Sequence, residues 1–157
     1  MKIEVWCIGK TAFGYLDEGI DVYAKRLRHY TNFDWVVLPD IKNAKSLTTD
    51  QLKTAEGAMI LNKLGKDEQL ILLDENGKTF SSTQFAAWIA AQQLKSTKKI
   101  VFMIGGAYGF SDAVYDRATA KISLSAMTFS HQLVRVIFLE QIYRAFTILK
   151  GEPYHHE

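Results

Sequence analysis

Two short runs along this chain are apolar without a break: Leu70-Ile71-Leu72-Leu73 and Ile100-Val101-Phe102-Met103-Ile104. In a strand, successive side chains point to opposite faces, so such a run is apolar on both. Both faces must then be covered, and the segments between the runs have helical spacing suited to the task. The pattern predicts an α/β layered sandwich around a mainly parallel five-stranded sheet.

The other elements follow the same alternation. Ile3 to Ile8, Phe33 to Leu38 and Lys121 to Leu124 read as further strands, the second stopped by Pro39. Helices are expected over Gly14 to Tyr30, Thr48 to Leu64, from Ser81 through Leu94, and Asp112 to Ala118. Asp74-Glu75-Asn76-Gly77 reads as a turn after the third strand. A last helix, His131 to Lys150, is expected to stop at Gly151, with Pro153 just beyond. No linker or repeat divides the chain, so residues 1–157 are expected to form a single domain.

No apolar run is long enough to span a membrane, and the N-terminus lacks the apolar stretch of a signal peptide. The lone cysteine, Cys7, has no partner for a disulfide and fits a small buried hydrophobe in a reducing, cytoplasmic compartment. Nineteen basic against 17 acidic residues give a net charge of +2, too small a bias to announce a nucleic-acid partner.

The last helix carries two apolar strips. Val134, Ile137, Phe138, Ala145, Ile148 and Leu149 form one; Val136, Leu139, Tyr143 and Phe146 form another. One strip suffices to cover a sheet, so the second points to a two-fold homodimer through this helix.

Three segments could carry chemistry. Gly105-Gly106-Ala107-Tyr108-Gly109 follows a strand, where open α/β sheets bind ligands, but its glycine spacing fits neither a dinucleotide nor a phosphate loop. By itself it is equally a tight turn. Leu124-Ser125-Ala126-Met127-Thr128-Phe129 is small and hydroxyl-bearing, and reads first as a buried connection. The ending Pro153-Tyr154-His155-His156-Glu157 is rich in groups that move protons, although short polar termini usually fray. The histidines have no companion ligands at metal-binding spacing, so no metal is expected.

Taken in order, several stretches resemble the ribosomal large-subunit methyltransferase H family, the shortest members of the SPOUT class. They are Leu72-Leu73-Asp74 with Gly77-Lys78; Ile104-Gly105-Gly106 with Gly109; and Ser123 to Thr128. The C-terminal stretch adds His131, Leu133-Val134-Arg135-Val136, Glu140, Tyr143-Arg144-Ala145 and Pro153-Tyr154-His155. The resemblance spans essentially the whole chain.

It implies a C-terminal trefoil knot and S-adenosyl-L-methionine as methyl donor, held by Leu73, Gly105, Leu124, Ser125, Ala126, Met127, Thr128 and Phe129. The implied substrate is the N3 of a pseudouridine in 23S rRNA. Tyr154 and His155 are expected near the target base, and Arg135 or Arg144 near a developing anion or a phosphate. Glu140 can pair with Arg144 one helical turn away, and His131 can cap the last helix or touch substrate. The family's common ending is basic where this chain has His156. A non-enzymatic RNA-binding module and a dimeric protein binding another adenosine ligand share the same fold expectations. Titration with S-adenosylmethionine separates both from a methyltransferase.

Overall fold

Among residues 1–156, which the computed structural model describes, five strands form one sheet. They are β1 (Lys2–Ile8), β2 (Asn32–Leu38), β3 (Gln69–Thr79), β4 (Lys99–Ile104) and β5 (Ala120–Ser123). Their order is β2-β1-β4-β3-β5, and every pair is parallel. The helices are α1 (Gly14–Leu27), α2 (Thr49–Lys63), α3 (Ser82–Leu94), α4 (Asp112–Arg117) and α5 (Leu133–Leu149). α1, α3 and α5 cover one face, α2 and α4 the other.

The two-sided apolar runs behave as their pattern requires. Ile100, Phe102 and Ile104 of β4 enter the core beneath α1, α3 and α5, while Val101 and Met103 enter the core beneath α2 and α4. Phe102 meets Phe138 of α5 edge-on at 5.1 Å between ring centres. Each such side chain withdrawn from water contributes about 1.5–3 kcal/mol, which makes the central strands the least movable part of the molecule. Cys7 is buried in β1, and burial pushes its thiol up to about 11, consistent with a packing role.

β3 departs from expectation. It does not end at Leu73; after an excursion it resumes and runs to Thr79. Leu73 and Lys78 both stand opposite Ile122, so the four residues between them are pushed out of the ladder. The backbone N–H of Asn76 donates to Asp74 Oδ1 at 2.8 Å and shapes the excursion. The expected turn at Asp74 to Gly77 is therefore an irregularity within the strand and not its end.

α5 starts at Leu133, after Gln132, rather than at His131, and ends as expected. Gly151 adopts a φ of +67°; its N–H donates to Ile148 O, and that of Glu152 donates to Thr147 O. The second apolar strip of this helix is not available to a partner. Leu139 and Phe146 are buried within the chain, Val136 lies against Gly19 of α1, and Tyr143 packs against Tyr23. α1 takes that flank and α3 takes the opposite one, with Phe85 against Phe138. The remaining stripe of α5 holds the exposed Leu133 and the half-buried Ile137, Glu140, Arg144 and Ile148.

Gly77 sits where β3 rejoins β5, and a Cβ there would lie 2.6 Å from the backbone of Ile122. Gly77→Ala should therefore pry β5 from β3 and cost on the order of 1–3 kcal/mol, measurable by urea unfolding.

Candidate active site

The carboxyl ends of β3, β4 and β5 open into one cavity of about 760 Å³, within the usual range for a small-molecule site. Its wall comes from three segments: Leu73 to Asn76, Ile104 to Phe110, and Ile122 to His131, with Val134 at the start of α5. All eight residues expected to hold a cofactor line it, from Leu73 and Gly105 through Leu124 to Phe129.

The segment after β5 has no regular structure, and its serines supply the missing partners. Ser123 Oγ donates to Ser125 O, the N–H of Met127 donates to Ser125 Oγ, and that of Leu133 donates to Ser130 Oγ. This explains a small, hydroxyl-bearing stretch that sequence reading alone took for a buried connection. Met127 is 77% exposed at the rim.

The glycine loop after β4 is built inward as well as toward the cavity. A Cβ on Gly105 would come within 2.8 Å of the Phe110 ring, so this glycine is required first by packing against its own loop. Phe110 meets Tyr115 edge-on, and the Tyr115 hydroxyl donates in a very short bond to Asp74. That chain ties the glycine loop to the β3 excursion. Burial, together with the bond to Asp74, pushes the Tyr115 phenol up to about 12. No sequence signal could pair two residues 41 positions apart.

Arg135 does not do what sequence suggested. It is 2% exposed and absent from the cavity wall. Its Nη2 donates to Ile8 O and its Nη1 to Gly9 O, both at 2.8 Å, and Nη1 also reaches Thr11 Oγ1. Gln132 joins this clamp, accepting from the Ala12 N–H and donating to Lys10 O. The guanidinium therefore holds the loop after β1, buried away from the cavity wall, with Nε alone left without a partner.

The C-terminal tail is ordered by a cluster on α5. Glu140 Oε1 accepts from Arg144 Nε at 3.0 Å, from Arg144 Nη2 at 2.5 Å and from the Tyr154 hydroxyl at 3.0 Å. The Arg144 guanidinium lies 4.7 Å over the Tyr154 ring, and Tyr143 meets that ring edge-on. Arg144 Nη1 stands 3.1 Å from His155 Nδ1. An arginine only donates, so Nδ1 accepts and the ring proton is assigned to Nε2. Burial, then hydrogen bonds to Tyr23 and Glu140, raise the Tyr154 phenol far above its ordinary value; it is a neutral donor at neutral pH. Glu140 raises Arg144 further. Glu157 lies outside the described residues.

Arg144, Tyr154 and His155 are thus brought together, but none of them lines the cavity of their own chain. His131 does line it, and it precedes α5 without capping it. No group of His, Cys, Asp or Glu among the described residues is arranged to hold a metal ion.

A family model described as "Predicted SPOUT methyltransferase" matches residues 1–155. A protein of Parabacteroides distasonis and one of Flavobacterium johnsoniae are each 54% identical over 157 residues, the full length of both chains. A protein of Bacteroides fragilis is 48% identical over the same span. All three are named "Ribosomal RNA large subunit methyltransferase H".

The tyrosines give a test of the loop geometry. A phenol whose ionisation is raised in the folded state adds stability below pH 10 that is lost as pH climbs through about 12. Tyr30, held by its bond to Glu152, shares that window. Stability followed by denaturant titration should fall between pH 10 and about 12, and Tyr115→Phe should make the fall shallower.

Proposed function

The chain belongs to the SPOUT methyltransferase family, and we propose that it transfers a methyl group from S-adenosylmethionine to N3 of a pseudouridine in 23S rRNA. Family membership carries with it the trefoil-knotted C-terminal half. The observation that most supports this reading is the cavity at the ends of β3, β4 and β5. Leu73, Gly105 and residues 124–129 meet there from three separate segments.

The residues fit such a cofactor. An uncharged heterocycle is well served by backbone groups and small side chains, and the segment after β5 supplies both along one wall. When bound, S-adenosylmethionine supplies a methyl group already activated by its sulfonium. The work left to the chain is to exclude water, hold the acceptor nitrogen in line, and favour loss of the N3 proton. We assign Arg144 to stabilise the imide anion that remains, because it carries a permanent charge in a partly buried setting. His155 and Tyr154 position it. The released proton passes to solvent. Arg135 has no part in these steps beyond fixing the loop after β1.

The same geometry supports a homodimer. One chain separates its tail cluster from its cavity, and the stripe of α5 that holds the Glu140–Arg144 pair carries the exposed Leu133 and the half-buried Ile148. A second copy across this face would cover the apolar stripe. We read the chain as one methyltransferase domain acting in the cytoplasm on ribosomal RNA. No helix among the described residues is long and apolar enough to cross a membrane.

Arg144→Ala should lower methyl transfer to large ribosomal subunits by about 100-fold or more, with cofactor affinity by calorimetry unchanged. His155→Ala should lower it less, and rising pH should partly restore both variants as the acceptor ionises unaided. Unaltered transfer by Arg144→Ala would remove that residue from the mechanism. The assembly is tested separately: wild type should sediment as a dimer at micromolar concentration, and Ile148→Asp should shift it to monomer.

A further inference from the structure

A second cavity, of about 380 Å³, lies between the start of α3 and the middle of α5. It shares a wall with the first, since Ile122 to Ser125 and Phe129 line both. On its other side stand Ser82, Phe85, Ile137 and Gln141. The slot therefore has aromatic and aliphatic walls interrupted by the hydroxyl side chains of Ser81, Ser82, Ser123 and Ser125, with one amide side chain set into it.

That amide is already oriented. Gln141 Oε1 accepts from Ser82 Oγ at 2.8 Å, and its Nε2 donates to Glu140 Oε2 at 3.0 Å. Each atom retains capacity, because an amide oxygen accepts twice and an amide nitrogen donates twice. Glu140 is the carboxylate that holds Arg144 and Tyr154. The slot thus adjoins the cofactor cavity, with Ile122 to Ser125 and Phe129 common to both. A methyl acceptor has to lie beside that cavity.

Resting on the function proposed above, we propose that this slot is the subsite for the extruded target base and that Gln141 determines specificity for pseudouridine. Enzymes that modify a base take it out of the stack and hold it between apolar side chains, reading its edge by hydrogen bonds. Pseudouridine is joined to its sugar through carbon, so its N1 keeps a hydrogen beside the C2 carbonyl. Uridine uses N1 for the glycosidic bond and has none. The second lone pair of Gln141 Oε1 accepts from N1–H, and the second hydrogen of Nε2 donates to the C2 carbonyl. This reading leaves N3 uncommitted for methylation. A site built to pair a particular N–H rejects the analogue lacking it, because its own polar group is left unmatched.

The test compares wild type, Gln141→Leu and the near-isosteric Gln141→Glu on large ribosomal subunits carrying pseudouridine, uridine or N1-methylpseudouridine at the target position. Wild type should methylate the first at least about tenfold better than the other two. Gln141→Leu should lose most transfer to pseudouridine and most of the discrimination, with cofactor affinity and sedimentation unchanged. Ser82→Ala should weaken discrimination mildly. Weakened S-adenosylmethionine binding in Gln141→Leu would make the slot an annex of the cofactor cavity and overturn the proposal. Reduced transfer with discrimination intact would overturn it too, leaving Gln141 a packing residue. A wild type that binds S-adenosylmethionine but methylates no substrate would instead fell the functional reading on which this one rests.

Discussion

A buried guanidinium near the start of α5 reaches across to the end of β1. Arg135 gives two charge-assisted hydrogen bonds to the carbonyls of Ile8 and Gly9, which leave the sheet where the strand stops. Bonds of this kind are each worth about 1.5–3 kcal/mol, and losing the donor would strand one buried and one half-buried acceptor. Gln132 reinforces the contact from the preceding turn. The consequence is topological as well as energetic. The irregular segment 124–132 has one end fixed by β5 and the other by this clamp, so its shape is set although it forms no helix or strand.

From that fixed point α5 serves three surfaces at once. Phe138, Ile142 and Ala145 enter the core over the sheet, its flanks meet α1 and α3, and its outward stripe carries Glu140 and Arg144. Glu140 collects Arg144, Tyr154 and Gln141 on its two oxygens, so one carboxylate orders the tail and orients the amide at the slot. The tail owes its order to this cluster and to Tyr30, which donates to Glu152 at 2.6 Å. None of these contacts is strong alone at a solvated surface, yet they share partners, and shared partners restrict one another.

The sequence made some of this plain. Two-sided burial was readable from Leu70 to Leu73 and Ile100 to Ile104, because a continuous apolar run leaves a strand no solvent face. Gly151 was readable as a helix stop, since a positive φ at that position favours glycine. The Glu140–Arg144 pair was readable from spacing. Other features were hidden for definite reasons. The β3 excursion depends on Ile122 pairing twice, which local turn chemistry does not reveal. The strips of α5 could be counted, but which was already taken by α1 depends on the distant Gly19 and Tyr23. Arg135 looked like an anion ligand because burial of an arginine cannot be seen in a string of letters. The eight residues expected to hold a cofactor became a group through resemblance, since they come from three segments far apart in the chain.

The arrangement also bears on how an RNA would be chosen. With 19 basic and 17 acidic residues, the chain generates little long-range attraction for a polyanion. Arg135 is withdrawn into the protein, and Arg144 is balanced by Glu140 at 2.5 Å. Neither of these two arginines is therefore free to add to a non-specific field. Discrimination must then lie in short-range terms, namely the fit of a base beside the methyl donor and hydrogen bonds to its edge. Those terms act only after the base leaves its stack, and an enzyme with a weak field cannot hold RNA long enough to search many sites. On the function proposed above, the partner that satisfies both conditions is a preformed RNA surface on which the target base is already accessible.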